Sequence, residues 1–132
     1  MIITNSDGGS RGNPGQAAIG IIIRDEDKIL KTYKEKIGTA TNNEAEYRAL
    51  IKALNLASKY TKSKIQCILD SELVVKQLKG SYSISSDILK PLFITVKELE
   101  KNFKHVEYKH VRREDKYQKL ADRLVNEALD GN

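Results

Sequence analysis

Around Thr41 the hydrophobic period of the chain changes, and that change limits the folds open to it. Before it, three runs read as strands: residues 2–7, AAIGIIIRD and KILKTYKEKI. The turn sequence DEDK separates the last two, so an antiparallel meander is expected. In TNNEAEYRALIKALNLASKY the apolar residues recur at helical spacing. IQCILD is then a buried strand, SELVVKQLK a short helix and GSYSISSD a polar connector. ILKPLFITVKELEKN is a third helix, with Pro91 near enough to its start to be tolerated. HVEYKHV alternates as a strand, and QKLADRLVNEALD is a final helix closed by Gly131. The order is β-β-β-α-β-α-α-β-α. The fourth and fifth strands each follow a helix, and such crossovers favour parallel pairing. The expected class is α/β: a mixed five-stranded sheet flanked by helices, in one domain over residues 1–132.

Composition narrows the function classes. Apolar residues make up 39% and charged residues 31%, an ordinary globular balance. The single cysteine, Cys67, excludes an intrachain disulfide and lies in an apolar run, as a small core residue would. The start MIITNSDG has neither the basic segment nor the apolar stretch of a signal peptide, and no run approaches a membrane span. A cytoplasmic protein without a membrane partner is expected. The net charge of +5 favours polyanionic partners, nucleic acid first.

Four acids break the pattern of their elements. Asp7 follows a short apolar run and precedes a glycine-rich turn, so it reads either as an incidental turn acid or as a site residue. In the helix after Thr41, Thr41 and Glu44 form a capping box. At about 100° per residue, Glu44, Arg48, Lys52 and Asn55 share the polar side, where Glu44 and Arg48 can pair. Glu46 falls instead in line with Leu50, Ala53 and Ala57. An unpartnered buried carboxylate is costly, so Glu46 is expected to face a polar site at the edge of the core. Asp70 ends the most apolar strand, where α/β proteins place ligands; it also suits a helix cap or turn. Asp122 borders the apolar face of the last helix, with Arg123, Asn126 and Glu127 pointing away. A charge interaction with the helix start would explain it equally well.

No histidine–cysteine set accompanies these acids, which argues against zinc. Hard oxygen ligands with open positions suit Mg²⁺ or Mn²⁺. Two such ions held a few ångströms apart form a site for in-line displacement at phosphorus.

The same residues carry a resemblance. DGGSRGNPG, TNNEAEY, the D-S of ILDSEL, the histidine of YKHV and ADRLVNEAL, in this order and spacing, resemble type 1 ribonuclease H over the whole chain. The element order is similar to the ribonuclease H-like fold. The resemblance implies an endoribonuclease that cleaves the RNA strand of RNA/DNA hybrids with two Mg²⁺ ions, Mn²⁺ being a substitute. It implies metal-binding, catalytic acids at Asp7, Glu46, Asp70 and Asp122, and a catalytic histidine at His110 that assists proton transfer or product release. It implies substrate contacts at Gly8, Asn13, Thr41, Asn42, Asn43 and Ser71, with 2′-hydroxyl recognition distinguishing RNA from DNA. A monomer is expected.

This chain also departs from the family pattern. The segment HVRREDKYQKLAD is about two residues longer than usual between the histidine and the last acid, and Tyr117 or Gln118 replaces the usual loop asparagine. Glu72 follows the D-S pair where a neutral residue is common. The basic, tryptophan-bearing protrusion of larger members is replaced by the short SYSISSD connector. Backbone contacts must then come from elsewhere, with Lys76, Lys79, Arg112 and Arg113 as candidates. His105 is expected on the surface. Two other functions fit the sheet and the acids: a module that holds hybrids without cutting, and a resolvase- or integrase-like nuclease. Binding alone would gain nothing from clustered negative charge near phosphates. The GNPG and TNN segments favour the hybrid.

Overall fold

The structure, a computed structural model, describes residues 1–131. Strands β1 (Ile2–Gly12), β2 (Gly15–Asp25) and β3 (Lys28–Ala40) lead into helix α1 (Asn42–Ala57). Strand β4 (Lys64–Leu69), helices α2 (Glu72–Leu78) and α3 (Leu89–Glu100), strand β5 (His105–His110) and helix α4 (Lys116–Leu129) follow. The sheet order is β3-β2-β1-β4-β5, with β1–β2 and β2–β3 antiparallel and β1–β4 and β4–β5 parallel. This is the expected mixed sheet, with β1 at its centre. No helix among the described residues is long and apolar enough to cross a membrane.

Alternation along β2 sends its side chains into two different layers. Ile19, Ile21 and Ile23 enter the main core with Tyr47, Leu50 and Leu54 of α1 and Val96 of α3. Burial of each such side chain stabilises by about 1.5–3 kcal/mol. Ala18 points the other way, onto Val125 and Ala128 of α4. Helix α4 therefore covers the opposite face. Gly20 lies on that face, where any Cβ would overlap the Ala121 carbonyl, so glycine is what lets the helix sit down on the sheet.

Of the boundaries that differ from the sequence expectation, two bear on the site. Strand β1 does not end at Asp7 but runs on through the glycines to Gly12, paired with β2 as far as Gly12↔Gly15. The turn sits at Asn13–Pro14, a cis peptide, with Gly12 at φ 116°. Helix α4 starts at Lys116, capped by Asp115, whose side chain accepts from the Tyr117 and Gln118 amides. Tyr117 thus joins Gln118 as a buried helix residue, neither of them standing at the family's loop-asparagine position, and the connector from β5 is only residues 111–115.

The register of β1 opens the site. β1 pairs with β4 only from Ile2↔Ile65 to Asn5↔Ile68. Beyond Asn5 no strand among the described residues pairs with that edge of β1, and a cleft of about 500 Å³ lies there.

Candidate active site

Asp7 stands two residues past the last β1–β4 pair, on the α4 side of the sheet, and is 6% exposed. Glu46 reaches the same place from α1. The capping box of Thr41 and Glu44 sets where that helix begins: Glu44 N donates to Thr41 Oγ1 at 3.2 Å, and Thr41 N donates to Glu44 Oε1 at 2.9 Å. Glu44 is thereby engaged with its own helix start, and Arg48 donates to the Ile37 carbonyl at 3.2 Å, so the expected Glu44–Arg48 pair is replaced by these contacts. Gly8 lets α1 approach. A Cβ there would collide with the backbone of Ala45 and Glu46, and its amide donates to Glu46 Oε1 at 3.1 Å. The glycine serves close approach here, not a turn.

Asp70 follows the last residue of β4, and Ser71 behind it caps α2, its Oγ accepting from the Val74 amide at 3.3 Å. One carboxylate oxygen each from Asp7, Glu46 and Asp70 lie within 4.8 Å of one another. Asp122 lies outside that trio but lines the same cleft, alongside Asp7. Helix α4 is held at this height by a buried network. Gln118, one turn before Asp122, donates to the Ser6 carbonyl at 2.7 Å and accepts from Asn5 Nδ2 at 3.2 Å. Arg24 Nε donates to Asn5 Oδ1 at 2.8 Å and stacks its guanidinium 4.0 Å from the Tyr117 ring centre. Tyr117 in turn donates to Asp27 Oδ1 at 3.0 Å.

The electrostatics are those of a cation site. Burial pushes Asp7 up to about 7, with the charges of Asp70 and Asp122 adding and a hydrogen bond with Glu46 opposing. Burial, then the neighbouring Asp7 charge, holds Glu46 well above the usual carboxylate range. Burial also raises Asp70, against the attraction of Arg113, whose Nε lies 4.0 Å from Asp70 Oδ2. Glu46 Oε2 is buried with no hydrogen-bond partner among the described residues. A divalent cation would satisfy that oxygen and relieve the repulsion at once. The donor set is entirely carboxylate, which matches hard ions.

The remaining expected residues divide. Gly8, Asn42, Asn43 and Ser71 line the cleft. Asn42 ties the β1–β2 hairpin to α1: the Ser10 amide donates to Asn42 Oδ1 at 2.9 Å, and the Asn42 amide donates to Asn13 Oδ1 at 3.1 Å. Thr41 and Asn13 stand behind the lining, as cap and tie. His110 is exposed at the end of β5; its charge is felt at Asp70, but it does not line the cleft. Of the four cationic candidates, Arg113 alone lines the cleft. Lys76 is occupied by Glu72 at 2.7 Å, which turns that acid along its own helix, and Lys79 and His105 border a separate groove beside β5. Sequence reasoning missed Arg11 and misplaced Asn126: both line the cleft. The available signal was the stripe Asp122, Asn126, Asp130, spaced by one helical turn each.

The chain matches the reverse transcriptase-like family over residues 5–128. It is 39% identical over 132 residues to the bifunctional protein Rv2228c of Mycobacterium tuberculosis, covering 98% of this chain but only 35% of that protein. Among solved structures, RNase H1 from the archaeon Halobacterium salinarum superposes with a TM-score of 0.93 at 39% identity, covering 99% of this chain and 98% of the other. LC11-RNase H1, solved in complex with an RNA/DNA hybrid, gives 0.93 at 36% identity, with coverage of 99% and 98%. With the same fold matched end to end at this identity, the chain belongs to the ribonuclease HI family.

Proposed function

We propose that this chain, as a single ribonuclease H domain, is an endonuclease that hydrolyses the RNA strand of RNA/DNA hybrids. The observation that carries this is the convergence of Asp7, Glu46 and Asp70 around a buried carboxylate oxygen with no donor among the described residues. The hybrid in the LC11-RNase H1 complex supports the substrate.

In this reading Asp7, Glu46, Asp70 and Asp122 hold two divalent ions, Mg²⁺ by preference with Mn²⁺ as substitute. When bound, the ions supply charge neutralisation at the phosphate and an activated water. Gly8 fixes the Glu46 carboxylate through its amide, and Ser71 and α2 fix Asp70. Arg113 offsets the acid charge and offers a fork-shaped donor to a phosphate. Gly8, Asn42, Asn43 and Ser71 form the wall along which the hybrid lies, with Asn13 and Thr41 holding it from behind. His110 is a proton carrier at the rim, exchanging with solvent as product leaves. Attack by water on phosphorus breaks one P–O bond and leaves a phosphate monoester and a hydroxyl end. We place the protein in the cytoplasm as a monomer: its one cysteine is free and buried, and the acid cleft is complete within one chain.

The test is cleavage of a labelled RNA/DNA duplex in Mg²⁺ and in Mn²⁺ by the wild type and Asp70→Asn, with all-DNA and all-RNA duplexes as competitors. Hybrid cleavage lost in the variant is expected. A wild type inactive in both metals, or one cutting all-DNA duplex equally well, overturns the reading.

A further inference from the structure

The cleft holds a cation at each end and acids between. Arg113 stands by Asp70. Arg11 stands at the other end, and among the described residues these two are the only cationic ones lining the cleft. Arg11 is four residues beyond Asp7 on β1, so parity puts both on the α4 side of the sheet. At about 3.3 Å per strand residue, they are roughly 13 Å apart along β1. Asp130 is eight residues beyond Asp122 and lies just past the end of α4, roughly 12 Å further at about 1.5 Å per helix residue. The two elements run side by side over equal lengths, which is why Arg11 and Asp130 meet: Nη1 lies 2.6 Å from Asp130 Oδ1, and Nη2 is 3.5 Å from Asn126 Oδ1.

This pair is poorly suited to a structural role. The two side chains are 47% and 50% exposed, and ion pairs that open to water hold weakly. What the pair does is set a guanidinium, aimed by two acceptors from α4, beside a groove that already faces acids for metal. A duplex advances about 3.4 Å per base step, so a strand whose phosphate sits at the acids passes Arg11 within a few nucleotides. A phosphate offers the guanidinium the same fork of acceptors as a carboxylate.

We propose that Arg11 binds a backbone phosphate of the hybrid a few nucleotides from the cut, and that Asp130 competes with the substrate for it. The proposal rests on the hybrid-nuclease reading above and adds a binding contact and its restraint. Asp130 lowers affinity as bound, and so favours release. Removing it strengthens binding, whereas removing Arg11 weakens it.

The experiment is a double-mutant cycle on hybrid affinity, read by fluorescence anisotropy of a labelled RNA/DNA duplex with Mg²⁺ on an Asp70→Asn background. Arg11→Ala is expected to weaken binding about fivefold and to reduce the slope of log affinity against log salt by about one. Asp130→Asn is expected to tighten binding about two- to fivefold, the scale of an exposed ion pair. In the Arg11→Ala background Asp130→Asn should change nothing, and Arg11→Lys should recover the salt slope but not the full affinity. An Asp130→Asn effect equal in both backgrounds means general charge repulsion and overturns the proposal, as does unchanged affinity in Arg11→Ala. Hybrid cleavage by the wild type is the separate control. If it fails, the function is wrong; if it holds while the cycle shows no coupling, only the role of Arg11 falls.

Discussion

Asp7 is buried in the company of acids, and its ionisation opposes folding. Its carboxyl lies at about 7 in the folded chain against the ordinary 3.8. A group whose folded value is raised adds stability fully at pH below about 3.8, and that stability is lost as pH rises through about 7. Asp70 and Glu46 are shifted in the same direction and act with the same sign. Asp7→Asn removes the charge while keeping the shape. In chelator, the variant should match the wild type at pH 4 and exceed it at pH 8. The full shift corresponds to about 4 kcal/mol at about 1.4 per unit, and sharing of the proton with Glu46 reduces this to about 2. Urea melts across that pH range check it, and cleavage should be lost at every pH. Gly8 gives the complementary case. Gly8→Ala drives a methyl into the Ala45 carbonyl, so α1 must retreat and take Glu46 with it. A loss of about 2–3 kcal/mol, with the metal requirement for cleavage raised at least tenfold, is expected from melts and metal titrations.

At the scale of elements, the pattern of apolar residues carried most of the fold and failed where tertiary contacts decide. The three-strand meander, the crossovers and the central position of β1 follow from period and order alone. The four acids stood out because they sit at element ends or on inward faces, Asp7 and Asp70 after apolar runs and Glu46 and Asp122 on or beside apolar helix faces. The end of β1 was not legible, because SDGGSRG has no strand-like alternation. Gly8 is there for the backbone of α1, which only the folded chain brings near. The start of α4 was placed two residues late, at Gln118, for a similar reason: Lys116 and Tyr117 look like loop residues until Arg24, far earlier in the chain, is seen to receive the Tyr117 ring. Asn126 was assigned to solvent because the cleft, not the core, lies on its side of α4. Gln118 makes a test of this network. Gln118→Leu keeps most of the volume but leaves Asn5 Nδ2 and the Ser6 carbonyl buried without that partner. A loss of about 2–3 kcal/mol is expected. With α4 released near Asp122, kcat should fall by more than tenfold while KM for the hybrid stays within twofold. A fall in stability with kcat intact would confine Gln118 to packing.

For the whole molecule, the acid cleft couples metal, protons and folding. Asp7 holds its proton up to about 7, with Glu46 and Asp70 shifted in the same direction, so ion binding has to displace protons, and the unfolded chain offers no such cluster. An ion that binds only the folded state stabilises it by RT ln(1 + [L]/Kd), about 2.7 kcal/mol at a hundredfold excess over Kd. That gain grows with pH. At pH 5 the Asp7 proton competes with the ion; at pH 8, past its value of about 7, Asp7 is ionised and the repulsion among the acids is unrelieved. Mg²⁺ or Mn²⁺ should therefore raise Tm by several degrees at pH 8 and by little at pH 5. For a domain of this size about 1 kcal/mol moves Tm by roughly 3–6 °C. Calorimetric titration should show protons released as metal binds, in amounts that depend on pH, and Asp7→Asn should reduce both the proton release and the metal-induced rise. A metal-induced rise that is the same at pH 5 and pH 8 would mean that the ions bind elsewhere than among these acids.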